Sequence, residues 1–215
     1  MTIYRILKYP HVLLRKKSSE VKIFSEDLSV FTDNMVETMY ASDGIGLAAP
    51  QVGILKKILV ADVRPFLGDQ TDSDWQSETI YKADGIKQNL NFPLKIVNPK
   101  IVAKGPLCDF PYDGCLSLPG SPRGVTQRHM SITLEAQTPT GQSISLETSG
   151  ILSICLQHEM DHLEGVLFID RLGRKIEDKI ILEDISTHEE DLMERKRIKK
   201  LKPTDAQTQH FQFNQ

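Results

Sequence analysis

Residues 157 to 162 read QHEMDH, which contains the pattern H-E-x-x-H. Residues four apart on a helix lie on one face, about one turn apart, so His158 and His162 point the same way. Ile151, Ile154 and Cys155 fall on the same stripe. The imidazoles therefore continue an apolar surface, and the fold must bury this helix with that stripe turned inward. Buried imidazoles need partners, and one shared divalent ion is the most economical. Glu159 points roughly 100° away from the first histidine. That is too displaced for an easy third ligand and well placed for a general base toward water at a metal. The pattern arises by accident in roughly one chain in 200 of this length, so the metal reading outweighs chance.

The rest of the chain supplies the walls. SEDLSVFTDNMVETMYAS, 25 to 42, reads as a helix with Ser25 as N-cap and Glu26 and Asp27 in its first turn. Leu28, Phe31, Met35 and Met39 recur at helical spacing and predict core packing. Gly44 and Gly46 end that helix and open GIGLAAPQVG. KILVADV, 57 to 63, predicts a buried strand, and LKIVNPKIV, 94 to 102, a strand interrupted at Pro99. The polar stretch between them, 65 to 93, predicts a surface excursion pinned by Trp75, Ile80 and Tyr81. Met130, Ile132, Leu134 and Ala136 alternate, TPTG supplies a turn at 138 to 141, and Ile144 and Leu146 resume, which predicts a β-hairpin. Thr148 or Ser149 then caps the H-E-x-x-H helix and Gly165 ends it. VLFID, 166 to 170, predicts one more strand, and a last helix is expected at 174 to 200. The expected class is α+β: antiparallel sheets packed around the central H-E-x-x-H helix, plus an N-terminal and a C-terminal helix. Residues 1–173 would form the catalytic domain and 174–215 a helix and polar tail.

Composition narrows the function class. A net charge of -3 over 215 residues gives no reason to expect nucleic-acid binding. No apolar run approaches the ~20 residues a membrane span needs. The N-terminus lacks the uninterrupted apolar core of a signal peptide. Three cysteines argue for a reducing compartment, and the expected location is cytoplasmic.

A catalytic metal site needs a third protein ligand and an open position. Glu177 or Glu183 would complete a His2Glu set. Cys155 shares the helix, but on a regular helix it stands about two turns from His162. Cys108, in GPLCDFPY, reads as a buried thiol. Cys115, in YDGCLSLPG, follows Gly114, which permits close backbone approach, and a thiolate there can meet the helix from outside.

Three stretches now coincide. GIGLAAPQVG, DGCLS and QHEMDH resemble, in order and spacing, the three signature motifs of the peptide deformylases, and the similarity runs from about residue 4 to 172. The resemblance implies that Cys115, His158 and His162 bind one divalent metal ion. It implies Glu159 as general acid/base, and the Gln51 amide and Leu116 N–H as oxyanion donors. Ile45, Gly46 and Gly114 would offer backbone groups to an extended peptide. Ile151, Ile154, Cys155 and Arg123 would shape the pocket for the first side chain, methionine in the family. The substrate implied is the formylmethionine end of newly made chains. His2Cys donors suit Fe²⁺, Zn²⁺, Ni²⁺ or Co²⁺, and the resemblance favours Fe²⁺ as the active ion. Some members touch the ribosome with a C-terminal helix, a role open to the basic block at 195 to 202. One departure stands out: the family's middle motif usually begins with Glu, and this chain has Asp113. That shortens the reach of any pair borrowed for the position, for instance to Arg123.

Overall fold

The structure is a computed structural model that describes residues 2–67, 75–118 and 123–172. Acidic residues open α1 (Glu26–Tyr40), and its apolar stripe of Leu28, Phe31, Met35 and Met39 is fully buried. Ser25 stands at the N-cap position, but its side chain makes no capping hydrogen bond. Gly46 does not end the helix; it begins strand β1 (Gly46–Ala48). β2 (Ile58–Ala61) is buried along its whole length. Its residues alternate between two cores. Ile58 and Val60 meet the α1 stripe, whereas Leu59 and Ala61 meet the apolar face of α3 (Gly150–Leu163).

A short α2 (Arg64–Leu67) follows, and here the sequence expectation needs correction. The polar stretch is not merely a surface excursion. It holds β3 (Thr79–Ala83) and β4 (Ile86–Gln88), and β3 pairs with β9 (Ser143–Ser149). Trp75 and Tyr81 pack on the core as expected, but Ile80 is exposed. β5 (Leu94–Lys104) also differs from expectation, because it runs through Pro99. The register shifts between Val97 and Lys100, and such a bulge absorbs a residue that lacks an N–H. Asn98 takes φ 51° there, and its side chain bonds both the N–H and the C=O of Val21 at 2.8 Å.

β6 (Leu107–Gly114) and β7 (Arg123–His129) form a separate two-stranded ribbon. The hairpin of β8 (Ser131–Gln137) with β9 is as its alternation predicts, with Ile132, Leu134, Ala136, Ile144 and Leu146 buried. Among the described residues the larger sheet has seven strands in the order β1-β2-β5-β8-β9-β3-β4, every neighbouring pair antiparallel. The VLFID segment is not a strand: Phe168–Asp170 is a 3-10 turn whose Phe168 packs against Cys115 and Leu118. The class is α+β with antiparallel sheets. No helix among the described residues is long and apolar enough to cross a membrane. The expected 174–200 helix lies outside the described residues, as do Glu177 and Glu183.

The start of α3 is held from outside. Ser149 occupies the N-cap, but its hydroxyl caps nothing in the helix. Instead the Ser77 hydroxyl accepts the Leu152 N–H at 3.0 Å, in the polar stretch ahead of β3. Ser149 N–H donates to the Glu78 carbonyl, and its Oγ accepts from the Glu78 N–H. Only glycine fits at 150: φ is +62°, and a Cβ there would lie 2.2 Å from the Gln76 carbonyl oxygen.

Candidate active site

α3 brings His158 and His162 side by side, ring centroids 5.1 Å apart. The end of β6 delivers Cys115 from outside the helix, and its Sγ lies 3.2 Å from His162 Nε2. One ligand atom from each of Cys115, His158 and His162 falls within 4.8 Å of the others, and all three residues are buried. Sulfur and nitrogen bound to one tetrahedral ion stand about 3.5 Å apart, close to the Cys115–His162 separation, and the chemistry of the three donors suits one divalent ion. His158 Nδ1 donates to Asp113 Oδ1 at 2.7 Å, which leaves Nε2 as its ligand atom. Two buried polar atoms beside the cluster, Glu159 Oε2 and His162 Nδ1, have no hydrogen-bond partner.

With no cation bound, burial and neighbouring charges shift the titrating groups of the site. Burial alone would lower the His158 pKa, but the charge and hydrogen bond of Asp113 raise it well above the usual value. Burial and then the His158 charge hold His162 well below its usual value, so it stays a neutral donor. Burial pushes the Glu159 carboxyl up to about 7, opposed by His158 and reinforced by Asp113. A cation held by the three ligands would pull it down again.

The Asp113 carboxylate is itself clamped. Its Oδ2 accepts from Thr126 Oγ1 at 2.7 Å and from Arg128 Nη2 at 2.8 Å. Arg128 also binds Asp161, which in turn binds Arg171. Burial would raise the Asp113 pKa, yet His158 and Arg128 hold it well below the carboxylate range. The cation on Asp113 is therefore Arg128; Arg123 is exposed at the start of β7, opposite Gly114. Asp161 is buried in this network, whereas Glu164 is half-exposed near Lys17 and Lys57. Sequence reasoning missed Thr126 and Arg128. The signal was the alternation of Gly124, Thr126 and Arg128 on the inner face of β7, legible only once 123–129 is recognised as a strand.

The glycine-rich segment covers the cluster. A Cβ on Gly46 would sit 2.4 Å from Glu159 Oε1 and 2.9 Å from Cys155 Sγ, and one on Gly44 2.7 Å from Leu116 Cδ1. Gln51 is buried; its Oε1 accepts from the Ala48 N–H, and its Nε2 reaches Ser117 Oγ at 3.2 Å and Cys115 Sγ at 3.8 Å. Ser117 N–H also points to that sulfur at 3.4 Å, a contact the sequence did not suggest. The Ile45 carbonyl is engaged by the Asp62 N–H and the Cys155 thiol. Ladder alternation then turns the Gly46 amide and carbonyl away from β2, on an edge strand. Ile151, Ile154 and Cys155 share one core with Phe110, and Ile45 and Trp75 pack against it. Cys108 is partly exposed and donates to the Arg128 carbonyl, away from the cluster.

Comparison with known proteins identifies the family. Residues 3–177 match the family described as polypeptide deformylase. The peptide deformylase of Desulfitobacterium hafniense is 37% identical over 171 residues, which span 80% of this chain and 95% of that protein. A peptide deformylase crystal structure from Legionella pneumophila covers 94% of this chain and all of its own, with TM-score 0.67 at 32% identity. One from Synechococcus elongatus in complex with actinonin gives TM-score 0.68 at 32% identity, over 84% of this chain and 85% of that one. By sequence and by fold, the chain belongs to the polypeptide deformylase family.

Proposed function

We propose a route for the family's reaction, hydrolysis of the N-formyl group from newly made polypeptides, in which this chain uses Cys115, His158 and His162 as metal ligands. The observation that carries it is the buried convergence of those three donors, with Glu159 next to His158 on the same helix and its Oε2 without a hydrogen-bond partner. A divalent ion, Fe²⁺ in the active form, with Zn²⁺, Ni²⁺ or Co²⁺ as substitutes, would supply a Lewis acid that acidifies water and polarises the formyl oxygen. Glu159 accepts the proton of the attacking water and delivers it to the leaving amine nitrogen. The Gln51 amide and the Leu116 N–H meet the charge that develops on the formyl oxygen, each worth on the order of 3 kcal/mol. The outward groups of Gly46, with Gly114, align the peptide. Ile151, Ile154 and Cys155 bound the methionine pocket, with Arg123 at its rim. Helix α3 serves as the hub around which the sheets pack.

The test is metal content with formate release from a formyl-Met peptide. Cys115→Ala should lose the metal, whereas Glu159→Gln should keep it and lose formate release. Metal retained in Cys115→Ala and lost in Glu183→Ala would replace the ligand set with His2Glu. The work site is the cytoplasm, and the basic block at 195 to 202 contacts the ribosome. Unchanged co-sedimentation with ribosomes after removal of residues 195–215 would reject that last role.

A further inference from the structure

The tripeptide Leu7-Lys8-Tyr9 touches both segments to which the oxyanion donors belong. Leu7 N–H donates to the Gln51 carbonyl at 2.8 Å, and Tyr9 N–H donates to the Ser117 carbonyl at 2.7 Å. Between them, Lys8 Nζ donates to the Leu116 carbonyl at 2.5 Å. The tripeptide is anchored on both sides. Upstream, Thr2 N–H and Tyr4 N–H donate to the side chains of Asn34 and Thr38 on α1. Downstream, a 3-10 turn at Val12–Arg15 follows, and Arg15 pairs with Asp170.

We infer that Lys8 is a positioning residue for the oxyanion site, an inference that rests on the proposed donor roles of Gln51 and Leu116. Its ammonium holds the carbonyl of the very residue whose N–H faces the formyl oxygen. The peptide plane that carries the Leu116 N–H is held by Leu118 N–H on the Cys115 carbonyl at 3.1 Å, and Lys8 holds the next plane, so the two torsions of Leu116 between them are set from both sides. The same ammonium adds positive potential beside the Leu116 peptide. A backbone donor that must not swing during the reaction gains from such a tie, because donors fixed beforehand cost no reorganisation as the charge appears. The flanking bonds from Leu7 and Tyr9 set the spacing of the two segments, so Lys8 adds orientation and charge rather than fold.

Kinetics with a formyl-Met peptide test this on the metal-loaded enzyme. Lys8→Met keeps the apolar stem and removes the ammonium. It should lower kcat about 3- to 10-fold with KM within about twofold, a modest fraction of the loss from deleting a direct oxyanion donor. Metal content and Tm should stay at wild-type values, and Lys8→Arg should recover most of the rate. The wild-type advantage should shrink in 1 M salt, since an exposed charge is screened there. Wild-type kcat in Lys8→Met, an equal loss in Lys8→Arg, or a loss matched by lower metal content would overturn the inference. Gln51→Ala, measured in parallel, separates the two levels. If it keeps full kcat, the oxyanion reading itself fails; if it loses rate while Lys8→Met does not, only the role of Lys8 falls.

Discussion

Replacing Gly46 by alanine adds one methyl group at the most crowded point of the site. That Cβ would stand 2.4 Å from Glu159 Oε1, where ordinary contact begins at 3.4 Å, so something must move by about 1 Å. Backbone retreat is resisted, because β1 is paired to β2 and its strand is buried. Cys155 Sγ, 2.9 Å away, blocks a sideways shift. The Glu159 carboxylate is the group left to yield. A 1 Å misplacement of a catalytic group costs on the order of 100-fold in rate. Overpacking adds about 1–3 kcal/mol of destabilisation, or roughly 2–12 °C in Tm for a chain this size. The assay is kcat for formate release, beside metal content and Tm of the same preparation. The expected result is a fall in kcat of about 100-fold with metal retained. Full activity in Gly46→Ala would refute the claim that the glycine exists to admit Glu159. Loss of metal together with activity would move the fault from the base to the ligands.

Ser77→Ala removes the hydroxyl that caps α3 and should cost about 1 kcal/mol, lowering Tm by roughly 2–4 °C; a thermal melt identical to wild type would discount the cap. Asp113→Asn keeps an oxygen for His158 Nδ1 but loses the charge, and it leaves buried Arg128 with Asp161 alone. Metal affinity by chelator competition should weaken about 10–100-fold, and an unchanged affinity would show that the carboxylate does not tune the ligand.

What the sequence revealed tracks burial on one face. α1 and the β8–β9 hairpin were legible because Leu28, Phe31, Ile132 and Leu134 recur at the period of their element and are buried. β3 and β4 were not, because they lie at the sheet margin and their residues are mostly exposed or half-exposed, so no period of two survives. VLFID misled because a short apolar run does not separate a strand from a packed turn; Leu167 and Phe168 are buried by the N-terminal segment and by Leu118. Pro99 promised a break, but a bulge let the strand continue. At the site, the helix pattern and the motif order pointed to Cys115, His158, His162 and Glu159. The clamp on Asp113 was hidden because its members come from β6, β7, α3 and the segment after it, and only the fold brings Arg128 to two carboxylates at once.

The outside cap on α3 also makes a built-in reporter. The Leu152 amide is bonded to Ser77, not to its own helix, so its exchange with deuterated solvent follows the seating of the 75–78 segment. The next turns of the same helix carry the two imidazoles. A ligand or mutation that lifts that segment would therefore speed exchange at Leu152 before it disturbs His158, and the order of the two events can be timed in one experiment.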